Sequence, residues 1–410
     1  MNATNRIAVL KFGGTSVASR EQREVAIARV RDARGDGFAT LAVVSAMGRI
    51  PDPYATDTLL GLIGPVRGGP NRDLLLAVGE MISAAVFAEL LTSLGTPAQA
   101  MTGGQAGILT DDTFGDARIL NVDPSAVRAA LAAGIIPVVT GFQGTTRAGG
   151  VSTLGRGGSD LTAIALGDAL NASSVDIYTD VSGVFTADPR RVADAHTVDR
   201  VTPAEMVELA GNGAKVMHSK AAELAHATKT PYAVKGLRSN VGTLIDDDAP
   251  VDRDRPVTGI TALRNVSFFR VIQGLSDEGG RATLDRELFD RLAARNISID
   301  MINVNDAGVF FVCDDENVDR VRAELHNLNL ALRVRMHCAK LSIVGAGMRG
   351  TPGVMAGVVR AVTDAAVEII HSTDSNITIS VLVPDEGAGR AEQALHDFFA
   401  LGPQVAAVMS

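Results

Sequence analysis

The sequence predicts an α/β fold: a mostly parallel sheet covered on both faces by helices over residues 1–247, followed by two small α+β units. Three observations lead there. Short apolar runs alternate with helical patterns between residues 7 and 246, the mark of strands buried on both faces. A glycine pair directly follows the first of those strand ends, and a second glycine cluster opens a later helix. Beyond a charged, proline-containing stretch, one strand–loop–helix–strand pattern occurs twice.

The first run, Ile7-Ala8-Val9-Leu10-Lys11-Phe12, reads as a buried strand ending in Gly13-Gly14-Thr15-Ser16. Two glycines at a strand end let the backbone approach a ligand closely, and Ser19 with Gln22 three residues on fits a capping box. Amides at such a helix entrance favour an anion, and Lys11 adds a fixed positive charge. An ordinary tight strand-to-helix turn has the same local sequence, so this stretch alone leaves both readings open. The helix stops at Gly35 or Gly37. Residues 40–44 form a second buried strand, whose end, Ser45-Ala46-Met47-Gly48, is small and polar enough to stay open to a ligand. A proline-stiffened loop over residues 49–54 leads to Thr56-Asp57 and a short apolar segment. A long helix then runs from about residue 72 to residue 94 and stops at Gly95, with Leu75, Leu76, Ile82, Val86 and Leu90 as core positions. Glu80 lies inside it; from spacing alone its carboxylate faces solvent, because Glu is rarely buried unpaired.

Ile135-Ile136-Pro137-Val138-Val139 is the next strand and leads to Gly141-Phe142-Gln143-Gly144. The second glycine cluster, Thr153-Leu154-Gly155-Arg156-Gly157-Gly158-Ser159-Asp160, precedes a helix over residues 161–170. Glycines around Arg156, with Ser159 and Asp160 at the helix mouth, bring a guanidinium fork, a carboxylate and free amides within a few residues. That combination suits a small zwitterion or a phosphate. Residues 174–180 form another strand, a loop follows over 181–190, and helical patterns fill 203–227 around Gly213-Ala214-Lys215. Ligands of such sheets sit beyond the strand C-termini, where these loops fall. At Asp246-Asp247-Asp248-Ala249-Pro250 the texture changes, and residues 248–257 read as a solvated linker, since adjacent carboxylates on a loop rarely converge on one ion. In the repeat beyond it, residues 268–272, a glycine-containing loop, a helix through 289–292 and a strand at 297–302 are echoed by 341–344, 345–353, 358–361 and 367–370. Each copy continues into another strand, 309–312 or 377–383, and a final helix, giving units over 258–334 and 335–410.

At 410 residues, 46% hydrophobic and 21% charged, the chain can build two or more ordinary domains. A net charge of −9 without any Trp argues against a general nucleic-acid binder. No apolar run approaches the roughly 18 residues that span a bilayer, and no leader pattern precedes the first strand. A cytoplasmic protein with no membrane partner is expected. Cys313 and Cys338 form no CxxC pair and have no histidine at ligand spacing, so buried free thiols are expected.

With these motifs assembled, the chain resembles the monofunctional aspartate kinases along essentially its full length. The matching elements are Lys11-Phe12-Gly13-Gly14-Thr15-Ser16, Val44-Ser45-Ala46-Met47-Gly48, Gly79-Glu80, Gly141-Phe142-Gln143-Gly144, Gly155-Arg156-Gly157-Gly158-Ser159-Asp160, and Thr179-Asp180 through Asp188-Pro189-Arg190. The resemblance implies a three-layer α/β/α amino-acid-kinase domain followed by two ferredoxin-like ACT regulatory domains. It also implies transfer of the ATP γ-phosphate, with Mg²⁺, to the side-chain carboxylate of L-aspartate. A carboxylate of pKa about 3.9 is already ionised at neutral pH and needs no general base, which suits a chain without a convincing catalytic histidine. No G-x-x-x-x-G-K-[ST] loop occurs.

By motif match, Lys11 neutralises the phosphates, with Phe12, Gly13 and Gly14 on the ATP and the two glycines giving amides. Arg156 clamps the α-carboxylate of aspartate, with Gly157 and Ser159 beside it. Glu80 and Asp160 hold the ammonium end and organise the catalytic site, and Ser45 and Thr56 line the pocket, so the resemblance turns Glu80 inward. Thr179, Asp180, Asp188, Arg190 and Lys215 lie on the nucleotide side. Asp277, Asn303, Thr351 and Asn376 are the implied contacts of an amino-acid effector: lysine, threonine or diaminopimelate. Paired ACT domains imply a homodimer or larger homo-oligomer, and no protein metal ligands are assigned. Met217-His218-Ser219-Lys220 departs from a usual His-Pro-Arg-like sequence, and residues 232–237 from an Arg-Val-Arg-Ser-like strand end; both are expected away from the phosphate-transfer centre. Ser276-Asp277-Glu278-Gly279-Gly280 replaces a Pro-Gly turn and leaves the effector open.

Two rival readings are weaker. Gly345-Ala346-Gly347-Met348-Arg349-Gly350 spells G-x-G-x-x-G after a strand, but only about sixty residues follow, too few for a dinucleotide sheet, and the same unit occurs earlier without the fingerprint. A catalytically silent amino-acid sensor would have no use for Lys11, Arg156 and Asp160 together.

Overall fold

The computed structural model describes residues 6–64, 68–214, 216–272, 278–326, 328 and 331–403. They fold as two compact units, one of residues up to 184 with 197–250, the other of residues 185–196 with those from 251 onward.

The first unit opens with β1 (Ile7–Phe12), a short α1 (Gly14–Val17), α2 (Arg20–Gly35), β2 (Ala39–Val44), α3 (Thr56–Gly61) and α4 (Pro70–Ser93). It continues with β3 (Ala98–Met101), β4 (Ile108–Thr110), β5 (Ile119–Val122), α5 (Ser125–Ala132), β6 (Ile136–Thr140), β7 (Gln143–Thr146), β8 (Val151–Thr153) and α6 (Gly158–Leu170). It closes with β9 (Ser174–Thr179), β10 (Arg200–Val201), α7 (Pro203–Gly211), α8 (Ser219–Thr228), β11 (Tyr232–Gly236) and β12 (Gly242–Ile245). Among the described residues, eight strands form one sheet in the order β10-β12-β11-β9-β1-β2-β6-β3, and β5-β4-β7-β8 form a smaller one. From β11 to β3 the large sheet is parallel; β12 runs against β11. Side-chain alternation sets the layers. Ala8, Leu10 and Phe12 join Ile27 and Val30 of α2 and Phe87 and Leu91 of α4 on one face. Val9 and Lys11 face the other, where α6 lies. The chain leaves β1 for β2 on one side and returns to β9 on the other, so the loops after these strands share one edge at a point of strand-order reversal.

The capping box forms as the sequence predicts: the Gln22 amide donates to Ser19 Oγ (3.1 Å) and the Ser19 amide to Gln22 Oε1 (3.2 Å). It caps α2, and the element directly after β1 is the four-residue α1 instead. Two expectations about α4 are corrected. By length and composition it could cross a bilayer, although no run in the sequence was expected to come near that length. It is a core helix, burying Leu76, Ala77, Ala84, Phe87, Ala88 and Leu91. Of the five expected core positions only Leu76 is fully buried; Leu75, Ile82, Val86 and Leu90 flank the buried stripe. The stripe's centre is small because the helix lies close to its neighbours: a Cβ on Gly79 would sit 2.8 Å from the Tyr54 carbonyl oxygen. Asp246 is also less solvated than a linker residue should be, accepting two bonds of 2.7 Å from the Arg200 guanidinium.

The second unit is built on β13 (Gly259–Ile272), α9 (Glu278–Ala294), β14 (Asp300–Asn305), β15 (Gly308–Asp314) and α10 (Val318–His326). The second copy is β16 (Ala331–Val344), α11 (Val354–Asp364), β17 (His371–Asp374), β18 (Thr378–Pro384) and α12 (Asp385–Phe398). All six strands share one sheet, β14-β15-β13-β16-β18-β17. The long strands β13 and β16 pair antiparallel, Gly259 opposite Val344 and Ile272 opposite Ala331. Residues 266–271 of β13 pair with β15, and residues 338–344 of β16 pair with β18, so each half of the central pair is a fourth strand for the other copy. The expected boundary between residues 334 and 335 therefore falls inside β16. The strands expected at 297 and 367 start later, at Asp300 and His371. Ile297 and Val367 instead drop into the core directly after the left-handed Asn296 (φ 52°) and Ala366 (φ 54°), which end the preceding helices. The G-x-G-x-x-G spacing serves packing, since a Cβ on Gly345 or Gly347 would overlap the backbone carbonyls of Pro256 and Asp252. Cys313 and Cys338 are buried free thiols, and burial pushes Cys313 up to about 12.

Candidate active site

The first unit gathers its functional groups at the C-terminal edge of the parallel strands. Lys11 is one residue from the end of β1 and points toward α6, where its Nζ lies 2.6 Å from Asp160 Oδ1. Both residues are only 8% exposed, so the ion pair is largely shielded from water. Asp160 sits in the first turn of α6, where the helix dipole favours a negative charge. Gly157 opens that helix with φ 71°, and a Cβ there would overlap the His218 side chain. Just before it, Arg156 is exposed and forms no ion pair among the described residues. One end of α6 thus carries a held ammonium, through Asp160, and a free guanidinium four residues earlier.

From the opposite face α4 delivers Glu80, 2% exposed. Its Oε1 accepts a hydrogen bond from the Ala46 amide (3.0 Å), while Oε2 has no partner among the described residues. Burial pushes the carboxyl up to about 8, with the Ala46 bond opposing the rise. The solvent-facing reading from spacing is thereby corrected. The half-buried Ser45 donates its amide to the Phe12 carbonyl (3.1 Å), and Gly48 donates to the Gly14 carbonyl (3.0 Å). Gly14 has no room for a Cβ, which would lie 2.8 Å from the carbonyls of Ala46 and Gly48. Ser159 is buried against Gly141, and the half-buried Thr56 opens α3.

One implied phosphate contact is corrected, and another is limited to its backbone. The Gly13 amide already donates to the Tyr178 carbonyl (3.2 Å), so it is not a free donor. The Phe12 ring lies in the core, 5.1 Å from Tyr178 and 5.6 Å from Phe87 between ring centres, because strand alternation sends it to the α4 face. At the end of β9, Thr179 Oγ1 donates to Asp180 Oδ1 (3.2 Å), and Asp180 pairs with Arg49 (2.9 Å). Asp188 and Arg190 belong to the second unit and bind each other through two side-chain bonds of 2.7 and 2.9 Å, which hold the Asp188 carboxyl below the usual carboxylate range. Lys215 and Asp277 lie outside the described residues.

Several groups escaped sequence reasoning. Residues 217–220 are not remote from the site, since His218 packs on Gly157 and Lys220 pairs with Asp116, whose carboxylate abuts Gly155. Asp73 is completely buried two turns before Glu80 on α4. That seven-residue spacing, which sets two carboxylates on one helix face, was the available signal. In the second unit Thr351 and Asn376 line one cavity of about 280 Å³ together with Arg349, Gly353 and Ser375. Asn303 is on β14, at the other edge of the sheet from β17, and does not join them. No three His, Cys, Asp or Glu side chains converge as a metal cage among the described residues.

Residues 6–236 match the amino acid kinase family, and residues 333–397 match the ACT domain. Aspartokinase 1 of Bacillus subtilis (strain 168) is 40% identical over 97% of this chain and 99% of its own length. The chain belongs to the aspartokinase family. A second aspartokinase, from Geobacillus stearothermophilus, is 38% identical over 98% of this chain and all of its own. Among solved structures, E. coli aspartokinase III in complex with aspartate and ADP (R-state) superposes with a TM-score of 0.77 at 26% identity, covering 96% of this chain and 99% of that one. The same aspartokinase in complex with lysine and aspartate (T-state) gives 0.73 at 27% identity, covering 95% and 99%.

Proposed function

We propose that this aspartokinase holds L-aspartate by Arg156 and Glu80 and receives the ATP γ-phosphate on the side-chain carboxylate beside Lys11, giving 4-phospho-L-aspartate and ADP. The single observation that carries this reading is the shielded Lys11–Asp160 pair at the end of α6 that also bears the unpaired Arg156. The acceptor carboxylate is already an anion, so the work is to bring two anions into line and to stabilise charge on the transferred group. Asp160 keeps the Lys11 ammonium in place for that task. Arg156 offers a planar fork to the α-carboxylate. Glu80, held mostly neutral by its burial, gives up its proton to solvent when the substrate ammonium arrives beside it.

Gly14, Thr179 and Asp180 are assigned to the nucleotide side. Mg²⁺ enters with ATP as part of the substrate, bound by its phosphates. Feedback by an amino acid, lysine, threonine or diaminopimelate, is assigned to the second unit, with Thr351 and Asn376 as contacts, and that unit is also the proposed surface for homo-oligomer formation. We place the reaction in the cytoplasm, where ATP is available and two unpaired thiols stay reduced. The test is to trap acyl phosphate with hydroxylamine in reactions of ATP with aspartate, glutamate or no acceptor, adding each effector in turn. Trapping with aspartate alone supports the reading. Equal trapping with glutamate, or amino-acid binding without ADP release, overturns it.

A further inference from the structure

Asp73 is a buried carboxylate in the first turn of α4, with no exposed surface. An acidic residue there ordinarily serves its own helix, through the dipole or the free amides. Asp73 does neither with its Oδ2, which accepts hydrogen bonds from two amides outside the helix: Gly115 at 2.9 Å and Thr153 at 2.6 Å. Thr153 is the last residue of β8, and the glycine turn carrying Arg156 begins directly after it. The Thr153 carbonyl in turn accepts from the Ala117 amide (2.9 Å), so the root of the turn is tied to residues 115–117 on both sides. Asp116 of that segment lies against Gly155 and pairs with Lys220 of α8. Among the described residues the Arg156 side chain has no anchoring partner, so its direction depends on the backbone beneath it.

We infer that Asp73 is a positioning residue for the substrate clamp: its two amide bonds, to Gly115 and Thr153, fix the turn from which Arg156 reaches the aspartate α-carboxylate. The inference rests on the reading of Arg156 given above. Its consequence is that α4 serves the substrate twice, through Glu80 at the pocket and through Asp73 at the base of the facing turn. Without the acceptor the turn shifts, and a displacement of about 1 Å at a binding group is enough to cost roughly two orders of magnitude.

The test measures the aspartate KM, ATP KM and kcat of the full chain with Asp73→Leu, Asp73→Asn, Arg156→Ala and Asp73→Leu/Arg156→Ala. Asp73→Leu is expected to raise the aspartate KM at least about tenfold, with the ATP KM and kcat changed less than about threefold. Asp73→Asn keeps a carbonyl oxygen for both amides and restores the aspartate KM to within about threefold of wild type. In the Arg156→Ala background Asp73→Leu adds less than about twofold, because the clamp it would misplace is gone. Should Asp73→Leu fail to fold, Asp73→Glu, which displaces the same acceptor by one methylene, carries the same expectation. An unchanged aspartate KM, an equal rise in the Arg156→Ala background, or no recovery with Asn overturns the inference. An Arg156→Ala enzyme with a normal aspartate KM overturns the clamp itself, a separate result.

Discussion

At the scale of single residues, charge and burial decide the roles. On the proposed function Lys11 is the fixed cation nearest the transferred charge, so Lys11→Ala should lower kcat by about 10²- to 10³-fold while the aspartate KM moves only a few-fold, as read by steady-state kinetics. Glu80 gives a pH signature. Its carboxyl, pushed to about 8 by burial, is protonated at neutral pH and on the proposed function must ionise to meet the substrate ammonium. The aspartate KM should therefore fall as pH rises through about 8, and Glu80→Gln should bind weakly with a flat profile. A wild-type KM that is flat across that range removes Glu80 from the ammonium site. Lys11 was legible because it closes an apolar run just before a glycine pair, and Arg156 because a glycine stands on each side of it. The inward turn of Glu80 was not, since the helical spacing places the residue on the wheel without showing which stripe faces the core. Asp73 went unread for the same reason.

At the scale of elements, α4 is the part on which the site most depends. Its buried stripe pairs Phe87 with Phe12 of β1, and the exposed Leu74 lies outside it. Phe87→Ala should destabilise the fold by about 3–5 kcal/mol in denaturant titrations, and Leu74→Ala by less than about 0.5 kcal/mol. Similar costs at both positions would mean that α4 is not seated as described. The strands β1, β2, β6 and β9 and the helices α2, α4 and α6 could be read from periodicity, because each is long enough to repeat its pattern. The small sheet could not: β4, β7 and β8 are three or four residues long, too short for alternation to register. The break between α7 and α8 was likewise hidden, because apolar spacing persists across it while Gly213 and His218 end one helix and cap the next.

At the scale of the whole molecule, the doubled βαββα pattern predicted two regulatory modules but not their interlocked strands. Pairing between β13 and β16 joins residues far apart in sequence, and nothing local in either strand names its partner. The same limit hid the membership of residues 185–196 in the second unit, where Thr186 Oγ1 meets His396 Nε2 of α12 at 3.0 Å. On the same helix Glu392 is wholly buried, and burial raises its pKa against the opposing pull of Arg191, Arg264 and the Asp188 backbone. A carboxyl raised in the folded state contributes stability at low pH that is lost as pH rises. Glu392→Gln should thus raise the denaturation midpoint at pH 8 and lose most of that advantage at pH 5. A midpoint difference independent of pH would show that Glu392 does not titrate in the fold.

On the proposed function Lys11 and Arg156 serve one substrate cavity in different capacities, one for the transferred phosphate and one for aspartate. Calorimetric titration of aspartate into wild type, Lys11→Ala and Arg156→Ala tests it most directly. A shared cavity predicts binding to Lys11→Ala within about threefold of wild type and to Arg156→Ala at least about thirtyfold weaker. Wild-type affinity in Arg156→Ala, or loss of binding confined to Lys11→Ala, would contradict it.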